Sequence, residues 1–481
     1  MDNLYNIKEN FIQELMINQN NTSSPEQKDL FSKEDYDKIL SPVYDVIKNN
    51  PDMTIDELRQ KVYDLSGLEE SIRDFIYNRK LSDSMSISYG TKNYVETLSV
   101  GNIGDDIQAS NNTIYDIASI SKLFTTFSVL KLYSMGEIDL NKDITYYLPE
   151  FENLKGVTIL QILTFNVPLM TNGRIDASLD YQDAKERLRT VKVNENYDPN
   201  SNPYTDIGAM ILRELIVKVT GKREFDFVRE NVLNKISMDD THVIVPDSKI
   251  MRTAKTDGNI MYRDSEFQFR SVKPGEVNDE KSRILGQSIG DMGGHAGIFS
   301  TSSDMAQLAI SMMKYDILSH DLLLNMSNNE TGRYISELNK YRQYFGKLCY
   351  SKNPDLSSSE VYHPLSGRSI GSGGWTGTQF TVDPLNDVFF FMGANRTNDR
   401  IVSLPNSAKD DLRNKGILGY DENGAEYALI DGKKYYNSTR FAWDRDSNIV
   451  HPALRLSLCY LFLEKVYGVD KENDEVKART I

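Results

Sequence analysis

Ser119 and Lys122 stand three residues apart in the run YDIASISKLFTTFSVLKLYSMGEIDL, Tyr115 to Leu140. On a helix, residues i and i+3 share a face, so the lysine amine can lie beside the serine hydroxyl. Lysine is almost never buried without a partner, yet this one heads an otherwise apolar segment. A desolvated lysine can lose its charge and accept a proton, which is what an unactivated serine needs to become a nucleophile. The ordinary explanation of such a pair is a serine N-cap followed by a solvated first-turn lysine. Two other matches, Ser128 to Lys131 and Ser311 to Lys314, lie mid-helix or late in a helix, where a lysine reaches water along its own stem. Ser119 differs in context. It follows the polar, irregular stretch NNTIYDIA and opens its helix, where backbone N–H groups are unpaired.

The rest of the chain must position that pair. Its 481 residues suggest about two or three folding units, and 39% hydrophobic with 26% charged residues is ordinary globular material. A net charge of -15 repels phosphate backbones and anionic lipid, so neither nucleic acid nor a membrane is an expected partner. The two cysteines, Cys349 and Cys459, read as small core residues in a reducing compartment. No signal peptide or membrane-spanning run is read in the sequence, and a cytoplasmic location is expected.

Residues 1–65 read as a helical N-terminal appendix. Thr54 and Glu57 have the form of a capping box, and Gly67 can close the helix that follows. A second helical pattern covers about 69–79. SMSISYG and NYVETLSVG then alternate with period two around Gly90-Thr91-Lys92, a hairpin signal. Helical signals fill most of 118–240, and a polar, irregular region follows over 250–290. Thr301, with Asp304 three residues on, can cap the next helix. Strand signals return in GKLCYS, GGWTGTQFTV and DVFFFMGAN, the last two joined by the turn Asp383 to Asn386. Asn423-Gly424 and Asp431-Gly432 mark a small β insertion over 401–450, and an apolar helix near 452–466 lies in the last segment, 451–481.

Four blocks in order carry a family resemblance. IYDIASISKLFTTFSVLKLYSMGEIDLNKDITYYLPEF resembles the nucleophile region of the serine β-lactamase and D-alanyl-D-alanine peptidase superfamily, nearest its class C-like branch with the family VIII carboxylesterases. VTILQILTF, then PYTDIGAMILRELIVKVTGKREFDFVRENVLNKISMDDTH, then GGHAGIFSTSSDMAQLA with GGWTGTQFTVDPLNDVFFFMGANR follow at compatible spacing. The resemblance covers roughly 66–400 and the last helix. It implies an α+β, β-lactamase-like fold: an antiparallel sheet flanked by helices, built from 66–118, 291–400 and the final helix, with an all-helical part over 119–290.

By this resemblance Ser119 is the nucleophile of an acyl-enzyme, and Lys122 and Tyr204 its acid–base pair. The family's Tyr-x-Asn is here Tyr204-Thr205-Asp206. A carboxylate at 206 cannot donate a hydrogen bond to a substrate carbonyl and favours a charged Lys122, so Tyr204 is expected to act as the base. The third motif, Lys or His, then Thr or Ser, then Gly, is here Ser372-Gly373-Gly374, followed by Trp375. The cation that holds a substrate carboxylate is missing, and the backbone N–H groups of Ser119 and Trp375 are implied as the oxyanion hole. His295 is read as structural, and no two histidines have metal-ligand spacing, so no cofactor or metal is expected. The reading is a serine hydrolase for a small-molecule ester, or an acyltransferase. A D-Ala peptidase or β-lactamase acting on amides is the alternative, as is a degenerate penicillin-binding-like protein. The oligomeric state is left open.

Overall fold

The computed structural model describes residues 2–104, 106–468 and 475–480. Three helices come first: α1 (Asp2–Gln19), α2 (Lys33–Asn49) and α3 (Ile55–Ser66). The hairpin β1 (Ser84–Thr91) and β2 (Tyr94–Gly101) follows. The helical middle contains α4 (Ser121–Ser134), α5 (Ile207–Thr220) and α6 (Glu224–Asn231). After it come the hairpin β3 (Asn259–Arg263) and β4 (Glu266–Arg270), then α7 (Glu280–Leu285) and α8 (Ser302–Met313). Next are β5 (Ile370–Gly373), β6 (Gln379–Asp383), β7 (Val388–Ala394) and β8 (Arg400–Ser403). The strands β9 (Leu418–Tyr420), β10 (Glu426–Ile430) and β11 (Lys433–Asn437) precede α9 (His451–Tyr467) and β12 (Glu475–Thr480).

The main sheet runs β5-β6-β7-β1-β2-β12, antiparallel except where β12 lies parallel to β2. Both of its faces are covered. Along β7, Val388, Phe390, Met392 and Ala394 pack with α1–α3 and α9, while Phe389 and Phe391 pack with α8 and the helical middle. Successive side chains point to opposite faces, so a strand buried on both sides reads as the unbroken apolar run VFFFM. No helix among the described residues is long and apolar enough to cross a membrane.

Three expectations need correction. Residues 1–65 are no appendix: Phe11, Tyr36, Leu40 and Leu58 share one core with Ile87, Phe390 and Phe462. The apolar face of the sheet is too wide for α9 alone, and α1–α3 complete its cover. Their local signals were correct. Thr54 accepts from the Glu57 N–H at 3.3 Å, Glu57 accepts from the Thr54 N–H at 2.8 Å, and Gly67 is left-handed at φ 64°. Second, the 401–450 insertion is not a unit by itself. It joins the 259–270 hairpin, inside the supposedly irregular 250–290, in a second sheet of order β9-β10-β11-β8-β3-β4. Asp264 and Ser265, both at positive φ, make the tight turn of that hairpin. Third, GKLCYS is not a strand. Leu348 is left-handed at φ 50°, the Gly346 N–H bonds to the Cys349 carbonyl at 2.9 Å, and Leu348 and Cys349 are simply core.

One buried acid on α6 carries a stability consequence. Arg213 is paired with Asp291 at 2.7 Å and with Glu214 at 2.5 Å. The nearby Thr125 hydroxyl donates to the Gly294 carbonyl at 2.7 Å. Among the described residues, neither buried carboxyl oxygen of Glu224 has a partner at hydrogen-bond geometry. Burial, helped by the Asp291 charge, pushes its pKa up to about 8. Its folded value exceeds the unfolded one, so the folded state holds the extra proton, and the stability this contributes is lost as pH rises through about 8. Glu224→Gln, which mimics the protonated acid, should therefore flatten the fall in stability between the ordinary value of 4.5 and about 8. Denaturant unfolding across that range measures it, and parallel wild-type and variant curves would refute it.

Candidate active site

Ser119 sits on a strained turn. Ser119 lies in a 3-10 turn over Ala118–Ile120, and α4 begins only at Ser121, so Ser119 does not cap a helix as its position suggested. Ala118 is left-handed at φ 47°, which costs a non-glycine residue roughly 1–2 kcal/mol. Asp116 holds it there. Its Oδ1 accepts the Ala118 N–H at 2.8 Å and its Oδ2 the Asn278 N–H at 2.7 Å. Burial pushes this carboxyl up to about 6 against those two bonds. Thr376 and Thr378 donate to the Asp116 and Ile117 carbonyls at 2.6 and 3.1 Å, tying the turn to the loop after β5.

Lys122 is 1% exposed and lies at the centre of the site. Its Nζ is 3.0 Å from Ser119 Oγ, 2.5 Å from the Tyr204 hydroxyl and 2.8 Å from Asp206 Oδ1. The Tyr204 hydroxyl also reaches Ser119 Oγ, at 2.8 Å. Tyr204 comes from the loop ahead of α5, and its ring stacks on Phe165 at 5.4 Å and tilts against Phe345. Ser128 and Ser311 are buried within their helices, and Ser128 Oγ is bonded to the Phe124 carbonyl at 2.9 Å.

The third motif closes the other side. A Cβ on Gly374 would lie 2.0 Å from Thr378 Oγ1 and 2.7 Å from the Ile117 carbonyl, so only glycine lets this backbone approach the nucleophile turn. Neither the Ser119 nor the Trp375 amide N–H has an acceptor among the described residues. Ser119, Tyr204, Asp206, Gly373, Gly374 and Trp375 all line one cleft of about 630 Å³. Ser372 does not. It is buried in the β5–β6 ladder opposite Phe380, whereas position 373 faces Glu360 and Arg445. The outer wall of the cleft comes from the second sheet, through Met261, Arg263 and Val402.

A family model described as beta-lactamase matches residues 69–409. The chain belongs to the beta-lactamase family. A relative from Escherichia coli K12, named "Putative D-alanyl-D-alanine carboxypeptidase", is 27% identical over 318 residues, 61% of this chain and 72% of its own length. A Salmonella typhi protein of the same name is 27% identical over 320 residues, 62% of this chain and 72% of that one. Among solved structures, a class C beta-lactamase in complex with cefoxitin superposes with TM-score 0.52 at 16% identity, covering 70% of this chain and 94% of that one. A penicillin-binding protein homologue from Caulobacter crescentus gives TM-score 0.53 at 14% identity, covering 69% and 91%. These two likenesses speak to the fold. Fold and family agree with the resemblance read from the motif blocks, and the family makes the chain a serine hydrolase of the peptidase and beta-lactamase type.

Burial and close charges set the electrostatics of the site. Burial pushes the Lys122 pKa down, and Asp206 opposes it. Burial also works against the Asp206 charge, yet the surrounding cations, Lys122 foremost, hold that carboxyl well below the usual range. Tyr204 is pushed up, by burial first and then by the Asp206 charge, which disfavours the phenolate expected from the sequence. Three further residues escaped the sequence reading. Lys281 Nζ is 2.9 Å from Asp206 Oδ2 and 3.1 Å from Asp279 Oδ2. His295, set aside as structural, bonds Asp279 Oδ1 through Nε2 at 2.8 Å, and its carbonyl accepts from Lys122 at 3.3 Å. The only sequence signal was the charge cluster Asp279-Glu280-Lys281. Asp206, Asp279 and His295 bring three ligand-type atoms within 4.8 Å of one another, and both carboxylates already pair with the ammonium groups of Lys122 or Lys281.

Gly374→Ala tests the approach of the two backbones. The added methyl must push Trp375 away, at a cost of about 1–3 kcal/mol in stability. Loss of one oxyanion donor should slow acylation by on the order of 100-fold or more. Stopped-time fluorophosphonate labelling alongside a thermal melt separates the two effects, and unchanged labelling would remove Trp375 from the oxyanion hole.

Proposed function

We propose that this chain cleaves small acyl esters, or transfers their acyl group to a small acceptor, through an acyl-enzyme on Ser119. The observation that carries this reading is the hydrogen-bonded triangle of Ser119 Oγ, Lys122 Nζ and the Tyr204 hydroxyl, with sides of 3.0, 2.5 and 2.8 Å. Lys122, desolvated and down-shifted, is the base in place of Tyr204. As Ser119 Oγ attacks the acyl carbon, its proton passes to the Lys122 amine. Tyr204 stays a phenol and relays that proton to the leaving group. The carbonyl oxygen becomes an oxyanion held by the Ser119 and Trp375 N–H groups, each such donor contributing on the order of 3 kcal/mol in the transition state. Water, or the acceptor alcohol or amine, then takes the acyl group by the reverse proton path.

Asp206 favours esters over amides. Both of its oxygens are bound to lysines, and a carboxylate has no N–H to offer the carbonyl of an acylamino side chain. A second reading, amide hydrolysis of a carboxylate-bearing substrate, has its own support. Arg396 is buried beside the third motif, 4.6 Å from the Trp375 ring. Among the described residues its guanidinium bonds the Trp375 and Ser438 carbonyls, at 2.7 and 3.0 Å, and lacks a carboxylate partner. An unpaired buried cation lining a cleft suits an anionic ligand. The names of the relatives point the same way.

Ser119→Ala should abolish labelling by a fluorophosphonate and all turnover of p-nitrophenyl esters while the fold persists, whereas Ser128→Ala and Ser311→Ala keep wild-type rates. Retained turnover in Ser119→Ala would sink the mechanism. A panel of p-nitrophenyl esters, anilides, nitrocefin and acyl-D-Ala-D-Ala decides the class. Esters should be favoured by at least about 100-fold, the loss expected when a polar contact in the transition state is missing. Faster turnover of nitrocefin or the peptide would establish the second reading instead.

A further inference from the structure

A base that faces a carboxylate has a difficulty. The negative charge of Asp206 favours the ammonium form of Lys122, and an ammonium cannot accept the serine proton. The structure brings a second cation to the same carboxylate. Lys122 takes Asp206 Oδ1 at 2.8 Å, and Lys281, from the first turn of α7, takes Oδ2 at 2.9 Å. Asp279 holds Lys281 from the other side at 3.1 Å and is itself held by His295 Nε2 at 2.8 Å. The His295 carbonyl returns to Lys122 at 3.3 Å, which closes a ring of alternating charge. Farther out, Arg174 pairs with Asp176, and Arg270 and Arg283 lie against Glu280 at 4.0 and 3.7 Å. Those groups pair among themselves. Lys281 is the outer cation that touches Asp206.

We propose that Lys281 is a positioning residue for the serine–lysine pair, holding Asp206 so that Lys122 can pass between amine and ammonium beside Ser119. With Lys122 as ammonium, the charges of Lys122, Lys281, Asp206 and Asp279 cancel. With Lys122 as amine, one negative charge remains on the ring, and without Lys281 there would be two. The proton that leaves Ser119 Oγ goes to Lys122 Nζ and out through Tyr204 to the leaving group, so Lys281 never gains or loses a proton in the cycle. Its ammonium is held well above the ordinary lysine range, because Asp206 and Asp279 outweigh the opposing effect of burial. The idea rests on Ser119 being the nucleophile, and it goes beyond that reading by accounting for the carboxylate at position 206.

The test is the pH dependence of p-nitrophenyl acetate hydrolysis and of fluorophosphonate labelling. Lys281→Met should move the acid limb of kcat/KM toward alkali by about one pH unit. That is a loss of about tenfold at pH 7 that disappears at high pH. Lys281→Arg should keep the wild-type profile. In an Asp206→Asn background, Lys281→Met should shift the limb by less than half as much. An acid limb for Lys281→Met that coincides with wild type, an equal loss at every pH, or an undiminished shift in the Asp206→Asn background would overturn the proposal. If no acyl probe reacts even with wild type, the hydrolase reading falls, and 13Cε-lysine NMR titration of Lys122 with and without Lys281 still decides. A Lys122 midpoint that rises in Lys281→Met supports the proposal, and one that stays in place refutes it.

Discussion

Lys122 keeps its amine at 1% exposure where three stretches of chain meet, and most of what surrounds it exists to make that burial tolerable. A lone buried charge costs far more than a folded domain can offset. The amine is therefore given Ser119, Tyr204, Asp206 and the His295 carbonyl as partners. These four partners come from three places: the Ser119 turn, the segment before α5, which supplies both Tyr204 and Asp206, and the glycine-rich turn before α8. A hydrogen-bonded buried network is stable only when every member is satisfied. Asp206 can occupy its place because Lys281 completes it, and Lys281 because Asp279 and α7 hold it.

The strained turn at Ala118 follows from the same demand. Ser119 lies between Lys122 on the helix that follows it and Gly374 and Trp375 beyond β5, in one cleft. The left-handed residue redirects the chain, while Asp116, Thr376 and Thr378 fasten it to the sheet. The sheet must be rigid for this to hold. It is clamped on one face by α8 and the helical middle and on the other by α9 with α1–α3.

Much of this was legible in the sequence, and the reasons divide by range. Local chemistry read well. The Thr54–Glu57 box, the Gly67 stop, the Thr301 cap and the turns at Asn423-Gly424 and Asp431-Gly432 each depend on a few adjacent residues. Ser119, Lys122 and Tyr204 were found because motif order along the chain preserves their meeting in space. What failed depends on distant partners. The sequence shows α1–α3 as amphipathic helices but not which apolar face they cover. Ser372 aligns with the third motif, yet strand alternation turns position 373 toward the cleft side. Lys281 lies 75 residues beyond Asp206 in a polar stretch, where a lysine is ordinarily a solvated surface residue. In the folded chain it points inward, to Asp206 and Asp279. The depth at which Tyr204 and Lys122 lie, which sets the direction of both pKa shifts, is likewise a property of the assembled core.

The second sheet has a consequence for how the cleft is made. β8 pairs in parallel with β3, joining Ile401 to Ile260, and the Asp257 N–H bonds Asn398 Oδ1 across 141 positions. Parallel pairing over such a separation is slow, because loop-closure entropy is spent before any contact repays it. The Ser119 turn, by contrast, is anchored largely to the main sheet and the helical middle. The cleft wall at Met261, Arg263 and Val402 therefore depends on a pairing that brings positions 260 and 401 together, separate from the bonds that fix the Ser119 turn.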